Sequence, residues 1–352
     1  KILNAAYAAP LRRFAESSLS IVALDDWSAN ARRHFDADTF PLGVTIAKGR
    51  TASTIEVTSS GDSFTMPQSH LPVSGRGSEW ALVGDIANAI LRRIRIEQPT
   101  LADTLARQPV MGVKSGDNER FFLEIADIGE HYVRTTDGFR IPLDAVALCV
   151  RGRDVRRWNA TPSTWMLWPP RDGWRRPPRW LVRLAAARGF DPALLRLAYI
   201  RPEHVGIKVV WKDLGRGLVA AVADDTLRVG KTSVPVVPNQ TLYALDASTT
   251  EEAHVIAALL NSTIVNALAV CIAERAKDFH FRYFARTVST LALPRLTRGM
   301  PAWAMLARIS RRGHQGHEPD GELDRTVAKL YRVTDEEHAV LAAFLAQRLG
   351  FA

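Results

Sequence analysis

Apolar residues recur at helical spacing over residues 2–19 (ILNAAYAAPLRRFAESSL), interrupted at Pro10, with Arg12 and Arg13 on the polar face. A strand-like SIVALDD follows at 20–26, and HFDADTFPLGVTIAKG (34–49) reads as a loop leading into a second strand, Leu42 to Ala47. Helix, strand, loop, strand fits the end of an α/β domain better than a self-contained fold. Asp25 and Asp26 after a strand would be carboxylates near an active cleft in an α/β domain, and here are expected instead to cap the strand end. Residues 51–78, rich in Ser, Thr and Gly, predict weak strands and a linker. Residues 79–107 carry two short helical stretches separated by Pro99, the second led by Thr100.

From residue 110 the texture becomes short apolar runs between turn residues: FFLEIAD, HYVRTTDG, IPLDAVALCV, GIKVVWKD, GLVAAVAD and TLYALDA. This alternation predicts a mainly β domain with antiparallel strands, into which helices at 179–188 and 251–273 are inserted. After Pro294 the chain is Arg-rich, passes through a loop at 313–321, and ends in two helices, 322–331 and 335–349. The fold expected is an α/β remnant followed by a mixed, mainly β domain with inserted helices and a helical C-terminus. The segments are 1–60, a linker with helices at 61–105, 106–295, and 296–352.

With 352 residues, 47% hydrophobic and 24% charged, the chain has apolar material for one large or two ordinary domains, which excludes a disordered protein. The most apolar stretch, 253–273, is interrupted by polar residues, so no membrane span is expected. No signal peptide is visible, and the two cysteines, Cys149 and Cys271, stand apart with no zinc-site spacing. Both are expected to be buried, in keeping with a cytoplasmic protein. The chain opens on Lys1, as a piece of a longer protein would.

The net charge of +9 is unevenly spread. Residues 151–220 carry 15 basic and 5 acidic side chains, a net +10, together with six of the nine tryptophans; the other segments nearly cancel. Basic groups interleaved with flat rings suit a surface that neutralises phosphates and lies against sugars or bases. An Arg-rich loop region over core tryptophans gives the same composition.

In GVKSGDNERFF (112–122), Gly112 and Gly116 permit a tight turn that leaves Lys114, Ser115 and Asn118 as exposed donors for a phosphate or base edge. An ordinary hairpin loop is the alternative. In LCVRGRDVRRW (148–158), Arg151, Arg153, Arg156 and Arg157 surround Asp154 and Trp158. These are candidate phosphate contacts, although Arg153 and Asp154 are also placed to form an ion pair orienting the loop. Lys212 and Arg216 beside Trp211, which read equally as surface charge, and Arg282 and Arg286 in FRYFAR, are further candidates. The last two are four apart, as on one helix face, and are also placed to pack on the neighbouring aromatics. Asn261 and Ser262, mediocre helix formers within ALLNS, either face DNA or make a buried hydrogen bond, the second being the favoured reading. His314 and His317 have ligand-like spacing but lie in a Gly-rich loop without a third ligand, so no metal is expected.

Taken in order, GVKSGDN, LCVRGRDVRRW, KVVWKDL (208–214), VPNQTLYALD (237–246), ALLNSTIVNAL (258–268), FHFRYFARTVSTLALP (279–294) and ELDRTVAKLYRVTDEE (322–337) resemble a known domain. It is the TaqI-like C-terminal specificity domain of adenine-specific DNA methyltransferases, the class that includes the Eco57I-like restriction-modification enzymes. The resemblance covers about residues 106–350. NAAYAAPLRRF, DDW and HFDADTFP in turn resemble the last strands of the methyltransferase catalytic domain, downstream of its active-site loop.

The resemblance implies a C-terminal part of a site-specific adenine DNA methyltransferase of a restriction-modification or phage-defence system, with duplex DNA as partner. In that family the glycine motif for S-adenosyl-L-methionine and the Asn-Pro-Pro-Tyr or Asp-Pro-Pro-Tyr loop come earlier in the chain; neither occurs in this sequence. The cofactor site and the catalytic groups are therefore expected in a missing N-terminal catalytic domain, and this chain alone is expected to be inactive. A free-standing DNA-binding regulatory module, or a separate specificity subunit, is the alternative.

Overall fold

The computed structural model describes residues 2–28, 40–48, 53–59, 62–73 and 78–351. Its first core lies under a four-stranded sheet ordered Leu42–Ala47, Ser20–Asp26, Thr54–Ser59, Asp62–Pro67. Ser20–Asp26 runs antiparallel to the first of these and parallel to the third. Alternating Ile55 and Val57 turn inward with Ile21, Leu24 and Trp80, as a half-buried strand requires. The helix Ala9–Ser18 packs beside it. Arg12, expected on the polar face, is instead buried, its guanidinium donating to the carbonyl oxygens of Ile2 (2.7 Å) and Ala5 (3.0 Å). Of the expected loop 34–41, residues 34–39 lie outside the described residues.

A second core lies around a five-stranded sheet ordered Thr226–Val229, Thr232–Pro238, Val146–Val150, Thr164–Leu167, Phe122–Leu123. Val146–Val150 is buried at every position, which is why it reads as an unbroken apolar run. The helix Arg179–Arg188 presses Leu181, Leu184 and Ala185 inward. A second four-stranded sheet, Ala220–Ala223, Lys208–Lys212, Leu242–Asp246, Val110–Met111, contributes one face here. Its opposite face, with Val209 and Trp211, belongs to a third and largest core built mainly of helices.

Lys208 ties the two sheets together. It is wholly buried, and its ammonium donates to the carbonyl oxygens of Asp224 (2.9 Å) and Val236 (3.0 Å). Burial lowers its pKa to about 8 against the pull of Asp225 and Asp224.

In the helical core the expected helix 251–273 is two helices, Thr250–Leu260 and Thr263–Ile272, bent by 67°. Asn261 and Ser262 make the break. The Asn261 amide takes both backbone groups of Ala220, accepting from its N–H at 2.9 Å and donating to its carbonyl at 2.8 Å. The Ser262 hydroxyl caps the second helix by accepting from the Val265 N–H. The pair buries Asn261, as the sequence suggested, but outside a continuous helix. Among the described residues no single helix is long and apolar enough to cross a membrane.

The stretch after Pro294 also departs from expectation. Pro301–His314 is a helix, with Trp303, Leu306, Ala307 and Ser310 buried at i, i+3, i+4, i+7. Its arginines mask this pattern in the sequence, and His314, expected in a loop, is its last residue. Asp320–Tyr331 and Asp335–Leu349 close the core, the latter behind a Thr334–Glu337 capping box.

Candidate nucleic-acid interface

Loops of the second core surround an open cleft of about 1180 Å³. Asn118, Arg151 and Arg153, three of the residues singled out by sequence, line it together. Arg188, which sequence reasoning missed, completes its basic side, while Glu119, Glu124, Asp127 and Asp137 supply carboxylates. Arg188 donates to Asp137 (3.1 Å) and to the Phe122 carbonyl (3.3 Å), so it is held in place. Its position at the C-terminal end of an amphipathic helix was the available signal.

The glycine-bounded run does not form a hairpin. Gly112 lies so close to Asn239 that a Cβ there would sit 2.2 Å from the Asn239 carbonyl oxygen. Gly116 has φ of +87°, the left-handed region that favours glycine. Between them, Val113 donates to the Pro238 carbonyl at 2.7 Å, and Lys114 exchanges both backbone bonds with Tyr199 at 3.0 Å. The Lys114 side chain remains exposed. Ser115 does not: it is buried, its hydroxyl donating to Asn118 Oδ1 at 2.7 Å. The pinned backbone turns Ser115 inward, which corrects the expectation that it is an exposed donor. Asp117 caps the short helix Asn118–Phe121, on which Asn118 is exposed.

Asp154 organises the neighbouring loop. Its carboxylate accepts from the Arg151 N–H (2.8 Å) and the Ser163 hydroxyl (2.6 Å), with the Arg153 guanidinium at 3.8 Å. The Arg151 guanidinium lies over the Phe122 ring, and the Arg153 side chain is 66% exposed. Arg156 and Arg157 then diverge across the two-stranded turn Val155–Ala160. Arg157 donates to the Asn261 carbonyl at 2.7 Å, pairs with Asp320 and lies over Trp158, whose φ of +64° turns it onto the helix Pro301–His314. Arg156 is exposed and, among the described residues, has no carboxylate partner. It stands close enough to Lys212 to help lower that ammonium's pKa, after the larger effect of partial burial. The elements that carry these two cations, 56 positions apart in sequence, pack against one another.

The remaining candidates form a separate cluster. Arg282 lies on the short strand Phe281–Arg282 and Arg286 on the short helix Ala285–Ser289, so they do not share a helix face. Both instead flank the Phe284 ring, at 5.7 and 5.3 Å, and are paired with Asp213 and Glu274 respectively. Burial raises the Asp213 pKa, with Arg282 opposing. Arg216 is exposed over the ring of Phe351.

His314 and His254 are packed edge to face at 4.9 Å. The Val222 N–H donates to His314 Nε2 at 2.9 Å, and His254 Nδ1 meets the Ser310 hydroxyl at 3.0 Å. Burial lowers the His254 pKa to about 4, helped by His314 and Arg311. These rings join the helix Pro301–His314 to the sheet edge.

The three cores and the open cleft, lined by three arginines and four carboxylates, define a multi-sheet α/β chain. No family profile matches the sequence, and no curated protein does. Among solved structures, the type IIL restriction-modification enzyme MmeI in complex with DNA aligns with a TM-score of 0.57 at 12% identity, covering 99% of this chain and 48% of that one. The type IIG restriction endonuclease BpuSI aligns with a TM-score of 0.45 at 11% identity, covering 98% and 46%. The chain spans about half the length of each. At such identity the likeness to MmeI shows a shared fold.

Proposed function

We propose that this chain is the target-recognition portion of a site-specific adenine DNA methyltransferase of a restriction-modification or phage-defence system, and that it binds duplex DNA. One observation carries the reading: the turn Val155–Ala160 packs against the strand Lys208–Lys212 and presents Arg156 to solvent with no carboxylate partner among the described residues, a cation that a phosphate would neutralise. Arg151, Arg153 and Asn118 line an open cleft and would meet base edges or sugars there, with exposed Lys114 on the adjoining loop. The fold shared with a DNA-bound restriction-modification enzyme supports the same reading.

S-adenosyl-L-methionine would be the parent protein's methyl donor, but residues present here do not fit it. The carboxylate ending the first sheet's strand, Asp26, is taken up by Arg275, Ser28 and Ser59. Burial would raise its pKa, but Arg275 and Ser28 outweigh burial and hold it below the usual carboxylate range. No methyl-transfer step is assigned to this chain.

The test is selection from a pool of random duplexes. The wild-type chain should enrich one short sequence, and Lys114→Ala or Arg153→Ala should broaden it. Binding without enrichment would contradict a recognition role.

A further inference from the structure

We infer that the segment from Trp168 to Arg188 is a second DNA-contacting surface, an arginine face that grips backbone phosphates of the same duplex beside the cleft. The inference rests on the duplex-binding reading above and assigns it residues outside the cleft. Arg171, Arg175, Arg176, Arg179 and Arg183 are all exposed, and none has an ion-pair, hydrogen-bond or ring partner among the described residues. Asp172 is the segment's one carboxylate. Some exposed arginines elsewhere are neutralised, as are Arg134 by Asp127, and Arg308 and Arg312 by Glu322. Five unpaired guanidiniums against one carboxylate thus stand on this one element.

The face is mounted rigidly. Leu181, Leu184 and Ala185 bury one side of the helix Arg179–Arg188, and Arg179 and Arg183, four apart, lie on the opposite side. Trp174 and Trp180 pack edge to face at 5.9 Å against the second core and, with Pro177 and Pro178, fix the entry to the helix. Arg188, at its far end, lines the cleft, so Arg179 and Arg183 stand within about 15 Å, one helix length, of the cleft wall. Unpaired cations held together repel one another, and a duplex, with a phosphate charge every ~1.7 Å of axis, relieves that repulsion. Guanidiniums without base-reading partners fix register and affinity rather than sequence.

The test measures affinity of the full chain for a duplex against salt concentration, comparing wild type with the triple variant Arg176→Ala, Arg179→Ala, Arg183→Ala and its triple Lys counterpart. The Ala variant should lower the magnitude of the log K against log salt slope by about 2–3 and weaken all duplexes alike, while the Lys variant keeps the slope. Circular dichroism should match wild type for both. An unchanged slope in the Ala variant overturns the arginine face alone. So does loss of binding to phosphatidylserine vesicles with DNA binding intact. A wild-type chain that does not bind duplex DNA overturns both this inference and the reading beneath it.

Discussion

The guanidinium of Arg157 donates to the backbone carbonyl of Asn261 at 2.7 Å, across 104 residues of sequence. Its neighbour Arg156 faces solvent beside Lys212. Adjacent arginines in one basic motif therefore have different duties. Arg157→Ala should lower stability by about 1–3 kcal/mol, read by urea denaturation, because a carbonyl loses a charged donor and Trp158 loses its cover. The ion pair with Asp320, itself half exposed, adds little. Arg157→Lys should recover only part, since an ammonium lacks the planar fork. Arg156→Ala should leave stability unchanged.

Gly112 admits no side chain. A Cβ would meet the backbone of Asn239, which cannot swing aside as a flexible side chain would. Gly112→Ala should destabilise the chain by about 1–3 kcal/mol in thermal or chemical unfolding and displace Lys114 from its pairing with Tyr199. A variant as stable as wild type would contradict the close approach.

Lys208 should make stability depend on alkaline pH. Its folded pKa, about 8, lies below the unfolded value of 10.5, so between these limits the unfolded chain binds more protons. Stability should therefore rise with pH from about 8 towards 10.5 on this account. The difference in unfolding free energy between wild type and Lys208→Met, measured across that window, should show this slope; a flat difference would contradict it.

His254 acts at the acid side. Its folded pKa of about 4 lies below the ordinary histidine value of 6.5, so the folded state resists the proton that the unfolded chain takes up. Stability should fall as pH drops from about 6.5 towards 4, and His254→Gln should lessen that fall.

Much of the architecture was legible in the residues. The strands Ser20–Asp26 and Leu42–Ala47 and the helices Arg179–Arg188 and Asp335–Leu349 follow from periodicity and caps, which are local signals. The helix Pro301–His314 was not legible, because Arg308, Arg311 and Arg312 crowd a pattern whose buried positions include Ser310 and Gly313. The break at Asn261 depended on the edge strand at Ala220, a partner 41 residues away. At the candidate interface, Asn118, Arg151 and Arg153 meet in one cleft, but chain order alone did not show that Ser115 turns inward or that Arg157 is spent on Asn261. Nor did it show that Arg188 closes the cleft. Each of these is set by contacts between segments far apart in sequence.

The most direct measurement is the affinity of the chain for duplex DNA by fluorescence anisotropy, wild type against the double variant Arg156→Ala, Lys212→Ala. The account predicts steeply salt-dependent binding that the double variant weakens by about tenfold or more for every sequence alike, with stability unchanged. Equal affinity in the two proteins, or wild-type binding that does not vary with salt, would contradict it.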